Sequence, residues 1–465
     1  KLPIPGNSND NYYVSWGDGK QEKFTYESFP SHTYSNLSNK EYTIRITGNL
    51  TSFGYYGEEE PTNSNSFNDY YSFVSGITKI NSFGNLGLKR IGFAFCKKLS
   101  GSIPNGEGFE NLVSLDNMFR DCERISGNIP KKLFSMATKA KSANHIFYRC
   151  SSLTGNIPED LFEECASIKH FDSTFEECSN LKGQISNKLF IYSPDAISFE
   201  KTFKNCTNIT GSLTEDLFKE NTRVESFSQS FEGCKSISVI SSNLFKNNTI
   251  ANNYYRTFAD CDGLTAIPKN LFLNNVVYES SNNNNSYKDY RETFADCSGI
   301  RLLDLDVFYI GRGMFRNCEN LTQAKLPGTV KIGEEAFYNC NQLKKIKVGE
   351  TKLQEIGKDA FEYLGTDPEI LITSINKTSE ILANYNWNDD KRLADLNSPK
   401  GTVEIISKNY PFTNQNVVTL KMTVEDDYSK SGDCKIAIVN EANYNPGIDP
   451  SELNWEPFVE EKNWT

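Results

Sequence analysis

Histidine is nearly missing: the 465 residues hold only His32, His145 and His170. No Cys-x-x-Cys pair occurs either, so the ligand sets of structural zinc sites are excluded. Basic excess is missing too. Lys and Arg number 49 against 60 Asp and Glu, a net charge of −11, so there is no field to displace counterions from a phosphate backbone and no nucleic-acid partner is expected. No run approaches the roughly eighteen apolar residues of a membrane span. The chain opens at Lys1 on a polar stretch instead of a charged-then-apolar signal, so it is expected to be a mature or trimmed piece of something longer. Gly-x-Ser-x-Gly, a Walker-type loop and His-Glu-x-x-His are all lacking, and acidic pairs such as Glu176-Glu177 read as solvated surface. An enzyme is not expected, nor is a cofactor.

What is present is a globular composition, 37% hydrophobic and 23% charged, sufficient for several domains with a sizeable core. It is written as a repeat. The pattern Phe-x-x-Cys-x-x-(Leu/Ile) starts at Phe93, Phe119, Phe147, Phe175, Phe203, Phe231, Phe258, Phe294, Phe315 and Phe337, with a cysteine-less version at Phe361. Spacing is 28 residues in the middle of the array and 21 to 24 near its end, with one 36-residue interval that holds the Asn-rich insertion around Asn282–Asn285. A period in the twenties cannot bury its own apolar face, so each coil needs neighbours and the fold must be a solenoid.

Ten of the twelve cysteines occupy the one repeat position: Cys96, Cys122, Cys150, Cys178, Cys206, Cys234, Cys261, Cys297, Cys318 and Cys340. Equivalent residues in such an array lie about 4.8 Å apart along it, and packing between Phe layers holds their rotamers away from disulfide geometry. The ladder is therefore expected to be buried free thiols that fill a tight position in the core. Cys165 and Cys434 fall outside the register. His145 and His170 are 25 residues apart, out of step with the 28-residue period, and are expected as partly exposed surface residues that do not stack.

Residues 93 to about 375, some 60% of the chain, resemble the BspA-like leucine-rich repeats of bacterial and protozoan surface proteins, through phrases such as CSSLTGNIPEDLF and IGEEAFYNCNQLKKI. The resemblance implies a right-handed solenoid with a short strand per coil and a role in attachment or recognition. The sequence departs from the simplest repeat by inserting Gly101, Gly127, Gly155, Gly183 and Gly211, each expected to bulge or kink the strand face. After each comes a small or amide polar residue: Ser102, Asn128, Asn156, Gln184 and Ser212. That row is either a side-chain hydrogen-bond ladder, the favoured reading, or a polar strip that meets a ligand.

The flanks read differently. Trp16-Gly-Asp-Gly and His32-Thr-Tyr resemble motifs of the polycystic-kidney-disease-type β-sandwich, assigned to residues 1–50, with Asp18 in a hairpin turn rather than on calcium and His32 in a structural role. Residues 51–92 are expected to cap the solenoid, 376–400 to cap or link its other end, and 401–465 to form an immunoglobulin-like module with too few strands to be complete. LPGTV at Leu326 lacks the terminal position of a sortase anchor and reads as a turn between coils. Of the Asn-x-Ser/Thr sequons, Asn284 in the insertion is the open acceptor.

The expected molecule is mainly β: a leucine-rich-repeat solenoid of about ten to eleven coils flanked by β-sandwich domains, outside the cell or on its surface. It is expected to bind a protein or glycan on another surface without catalysis. The alternative is a structural subunit of a surface layer or filament, self-associating through the open C-terminal edge.

Overall fold

The computed structural model describes residues 1–35, 40–62, 64, 68–273, 288–348 and 355–365, and beyond them the backbone of strands at 369–372, 403–406, 418–422, 435–436, 456–457 and 461–464. The chain divides into two units, Lys1–Gly263 and Leu264–Thr465.

In the first unit, Asn11–Ser15 is the centre of a three-stranded antiparallel sheet with Gln21–Thr25 and Arg45–Asn49. Period-two alternation sends Tyr12 and Val14 inward, both fully buried, against Phe24 and Trp16. Among the described residues this is one sheet, and the facing layer of the sandwich expected over 1–50 is not among them. The segment expected as a cap already contributes a rung: Ser52–Tyr55 pairs in parallel with Arg90–Phe93, while helix Asn68–Gly76 buries Phe73 and Val74.

From there the coils repeat as a mainly-β leucine-rich-repeat solenoid. One row of parallel pairings runs Gly101 to Ile125, Gly127 to Leu153, Gly155 to Leu181, Gly183 to Ile209 and Gly211 to Ile237. A second runs through Ser142, His170, Ser198, Ser226 and Asn253. Between them lies the core that the repeat encodes. Phe119, Phe147, Phe175, Phe203 and Phe231 stack ring on ring, with centroids 5.5 to 5.7 Å apart. The Leu-Phe dipeptides supply a second column, Phe134, Phe162, Phe190, Phe218 and Phe245. Each fully buried Phe contributes about 1.5–3 kcal/mol, which is why no coil can dispense with the one beside it.

From Phe119 onward the backbone around each Phe of the Phe-x-x-Cys register has an unusual form. Two residues before and two after it, φ is positive: Asn117 and Asp121 around Phe119, His145 and Arg149 around Phe147, Ser173 and Glu177 around Phe175, and so on to Asp359 and Tyr363 around Phe361. Each such non-glycine residue costs roughly 1–2 kcal/mol. The gain is alignment. The N–H groups of Asn117, Phe119 and Asp121 all donate to the next coil, to the carbonyls of Asn144, Ile146 and Tyr148, and the pattern recurs coil after coil. Left-handed residues turn the peptide planes so that donors face one neighbour and acceptors the other, which pairs these backbone groups between coils.

In the second unit the shorter coils form longer strands. Ala266–Ile267, Leu302–Asp304, Gln323–Leu326, Lys345–Val348 and Glu369–Ile372 make a five-stranded parallel sheet, and Tyr309–Ile310, Lys331–Ile332 and Glu355–Ile356 a three-stranded one. Leu326-Pro-Gly-Thr-Val is the turn that joins the two sheets within one coil. Phe294, Phe315, Phe337 and Phe361 continue the ring stacking at 5.2 to 5.8 Å. Farther on, Val418–Met422 pairs antiparallel with Val403–Ile406 and Glu461–Trp464, and Lys435–Ile436 with Glu456–Pro457. Asn284, Cys434 and the whole of the expected linker at 376–400 lie outside the described residues.

Candidate recognition surface

The five glycines of the first pairing row all sit in the left-handed region, with φ between +78° and +88°. That conformation is why glycine was inserted there. It also clears space. A Cβ on Gly155 would collide with Asn128 Oδ1, and one on Gly183 with Asn156 Oδ1, so each amide lies across the glycine of the following coil. Ser102, Asn128, Asn156 and Gln184 are exposed and Ser212 half-buried, in one line along the rungs. Within that line Gln184 Nε2 donates to Ser212 O at 3.0 Å, whereas the amides of Asn128 and Asn156 make no hydrogen bond to another described residue. Those amide groups are left for solvent or a ligand.

Many interior polar residues, by contrast, are bonded to backbone carbonyls. Every described cysteine is free and buried. The register thiols do more than fill volume: Sγ of Cys122, Cys150, Cys178, Cys206 and Cys234 donates to the Phe carbonyl of the preceding coil at 2.9 to 3.0 Å. Cys261, Cys318 and Cys340 do the same at 3.1 to 3.2 Å. Phe119 O already accepts Cys122 N, so the thiol of the next coil occupies its second lone pair. Thr174, Thr202, Ser230 and Thr257 form a second column, each hydroxyl donating to a Phe or Ala carbonyl one coil back.

A third column follows the Leu-Phe dipeptides, where the chemistry changes from coil to coil. Cys165 Sγ donates to Phe134 O, Ser193 Oγ to Cys165 O, and Nδ2 of Asn221 and Asn248 to Phe190 O and Phe218 O. Cys165, which had no place in the Phe-x-x-Cys register, is the same device at another corner. Burial pushes its thiol up to about 12 and raises Cys178 and Cys234 further, so these thiols stay protonated at neutral pH.

The histidines divide. His32 is packed into the N-terminal sheet: its ring stacks on Trp16 at 4.9 Å and Nε2 lies 2.7 Å from Asp18 Oδ2, while Asp18 Oδ1 accepts Lys20 N across the turn. Asp18 is held below its usual carboxylate range by the His32 contact. His145 and His170 are both half-buried and sit in different rows, His170 on the second pairing row and His145 three residues beyond the equivalent Ser142. Among the described residues no group of three or more His, Cys, Asp or Glu is placed to hold a metal ion, and no helix is long and apolar enough to cross a membrane.

Comparison with known proteins adds the following. Residues 308–428 match, in six copies, the family described as BspA type leucine rich repeat region. The match covers about a quarter of the chain, the short-coil portion, and runs past Gly401 into the segment expected as a separate immunoglobulin-like module. A search of curated proteins finds no match. Among solved structures, a leucine-rich repeat protein from Eubacterium ventriosum aligns at 15% identity over 69% of this chain and 89% of its own, with a TM-score of 0.35. A leucine rich cell surface protein from Faecalibacterium prausnitzii aligns at 16% identity over 61% and 89%, with a TM-score of 0.23.

Proposed function

We propose that this chain is a non-enzymatic recognition module of the cell exterior that engages a protein or glycan on another surface along the row Ser102, Asn128, Asn156, Gln184 and Ser212. The observation that supports this reading most is the unspent amides of Asn128 and Asn156 on a row otherwise fixed by backbone pairing. Side chains held about 4.8 Å apart on successive rungs form a pre-ordered surface, so a partner pays little for ordering it. The described buried thiols of the register and the Thr174, Thr202, Ser230 and Thr257 hydroxyls are spent on backbone carbonyls.

The test replaces Asn156 and Gln184 together by Ala and measures melting temperature and adhesion to immobilised protein and glycan surfaces separately. Recognition by this row predicts adhesion reduced at least tenfold with a melting temperature within about 2 °C of the parent, because exposed side chains away from special backbone cost little. A lower melting temperature with adhesion intact would assign the row to holding the coils together instead.

A further inference from the structure

Away from that row, polar groups of the first unit converge without spending themselves at one place. Tyr56 and Glu58, from the segment after strand Ser52–Tyr55, face Arg90, Ser114, Asp116, Asn117, Asn144 and His145 across a cleft of about 260 Å³. Some of these groups are committed. Asp116 accepts Ser114 Oγ and Ser142 Oγ on one oxygen and Asn144 N on the other, and Asn117 Nδ2 donates to Tyr56 O. Others are not. The Asn144 amide nitrogen, the Tyr56 hydroxyl, the Glu58 carboxylate, both His145 ring nitrogens and the Arg90 guanidinium make no hydrogen bond or ion pair to a described residue. Arg90 instead lies over the Tyr56 ring, 4.9 Å from its centroid.

We infer that this cleft is a binding site for one neutral pyranose ring, the terminal hexose unit of a glycan. The volume is below the roughly 300–1,000 Å³ of pockets for drug-sized ligands, which suits a single ring and not an extended chain. The free groups alternate in kind: Asn144, Tyr56 and Arg90 offer donors, Glu58 and neutral His145 offer acceptors, and a sugar's hydroxyls are both at once. Burial holds the His145 pKa down to about 4, so its ring is an uncharged donor and acceptor at neutral pH. Charge selects against acidic sugars. Among the described lining residues Arg90 is the one cation against the carboxylates of Glu58 and Asp116, so the cleft has no net positive charge with which to capture a uronate or sialate. Tyr56 and Glu58 come from the segment after strand Ser52–Tyr55, outside the Phe-x-x-Cys repeat, so the repeat by itself does not supply this lining.

The test titrates the full chain with methyl glycosides of neutral hexoses, N-acetylhexosamines and hexuronates, reading saturation-transfer NMR and isothermal calorimetry. A neutral hexoside is expected to bind in the millimolar range, and both Glu58→Gln and His145→Asn to weaken it at least tenfold with unchanged melting. The pair Asn156→Ala and Gln184→Ala is expected to leave hexoside binding untouched, which separates this site from the proposed adhesion row. Absence of saturation transfer from every neutral glycoside at tens of millimolar, tighter binding of the uronate, or transfer indifferent to both cleft variants would each overturn the assignment.

Discussion

At the scale of single residues, the repeat cysteines illustrate how a buried polar atom is chosen. A carbonyl left with a free lone pair inside a packed stack costs less than an orphaned N–H, but it still attracts any donor of the right reach. At the Phe-x-x-Cys corner that donor is a thiol in each described coil from Cys122 to Cys261. At the Leu-Phe corner the Cys165 thiol and the Asn221 amide donate to Phe134 O and Phe190 O, while the equivalent Ser193 hydroxyl donates to Cys165 O. The interchange makes a prediction. Cys165→Ser keeps a donor where the next coil already uses Ser193, so it should cost less than Cys165→Ala, which loses both the bond and the sulfur's packing for about 1–3 kcal/mol. Urea unfolding of the two variants orders them. If Ala proves the milder change, the thiol serves packing alone. This column was not legible in the sequence, because position was kept while residue type was not; the ten identical cysteines were legible for the opposite reason.

At the scale of the strand, glycine and its neighbour act together. Gly101 and Gly155 share the left-handed backbone, at +84° and +78°, but differ in surroundings: a Cβ at Gly101 meets nothing within 4 Å, whereas at Gly155 it meets the Asn128 amide. Gly101→Ala should therefore cost about 1–2 kcal/mol, the backbone term by itself. Gly155→Ala should cost more, and combining it with Asn128→Ala should bring the loss back to the Gly101 value. Denaturant midpoints for the three variants and the double mutant form a coupling cycle. Equal losses at both glycines, with no coupling to Asn128, would mean that the amide moves aside freely. The inserted glycines themselves announced a departure from a plain strand, and the bulge at Gly211 and Ser212 is one form of it. The positive-φ pairs around each Phe gave no such signal, since Asn, His, Ser, Lys and Glu occupy them alike. There the inter-coil hydrogen bonds override local preference, and local preference is all that composition can report.

At the scale of the molecule, the period was readable because like residues stack on like, while whatever joins the repeat from outside it was not. The cleft shows this: Tyr56 and Glu58 belong to no copy of the motif, and only folding brings them to Asn144 and His145. The same logic governs how the first unit should fail when cut. Phe203 lies between Phe175 and Phe231, 5.5 Å from each, and is fully buried. In a quasi-one-dimensional array stability is a sum of coil and nearest-neighbour terms, so removing the ring at a central coil withdraws an interface from both sides. Phe203→Ala should cost about 3–5 kcal/mol and lower amide protection through the coils of Phe175 and Phe231 as well as its own. Phe24→Ala offers the contrast, because Phe24 packs on Tyr12 and Trp16 within the terminal sheet and should release protection over the strands Asn11–Ser15, Gln21–Thr25 and Arg45–Asn49 while the coils keep theirs. Hydrogen exchange followed by mass spectrometry resolves the two patterns. Loss confined to residues 199–206 in the Phe203 variant would mean that each coil holds itself, which a solenoid core of shared phenylalanine columns does not permit.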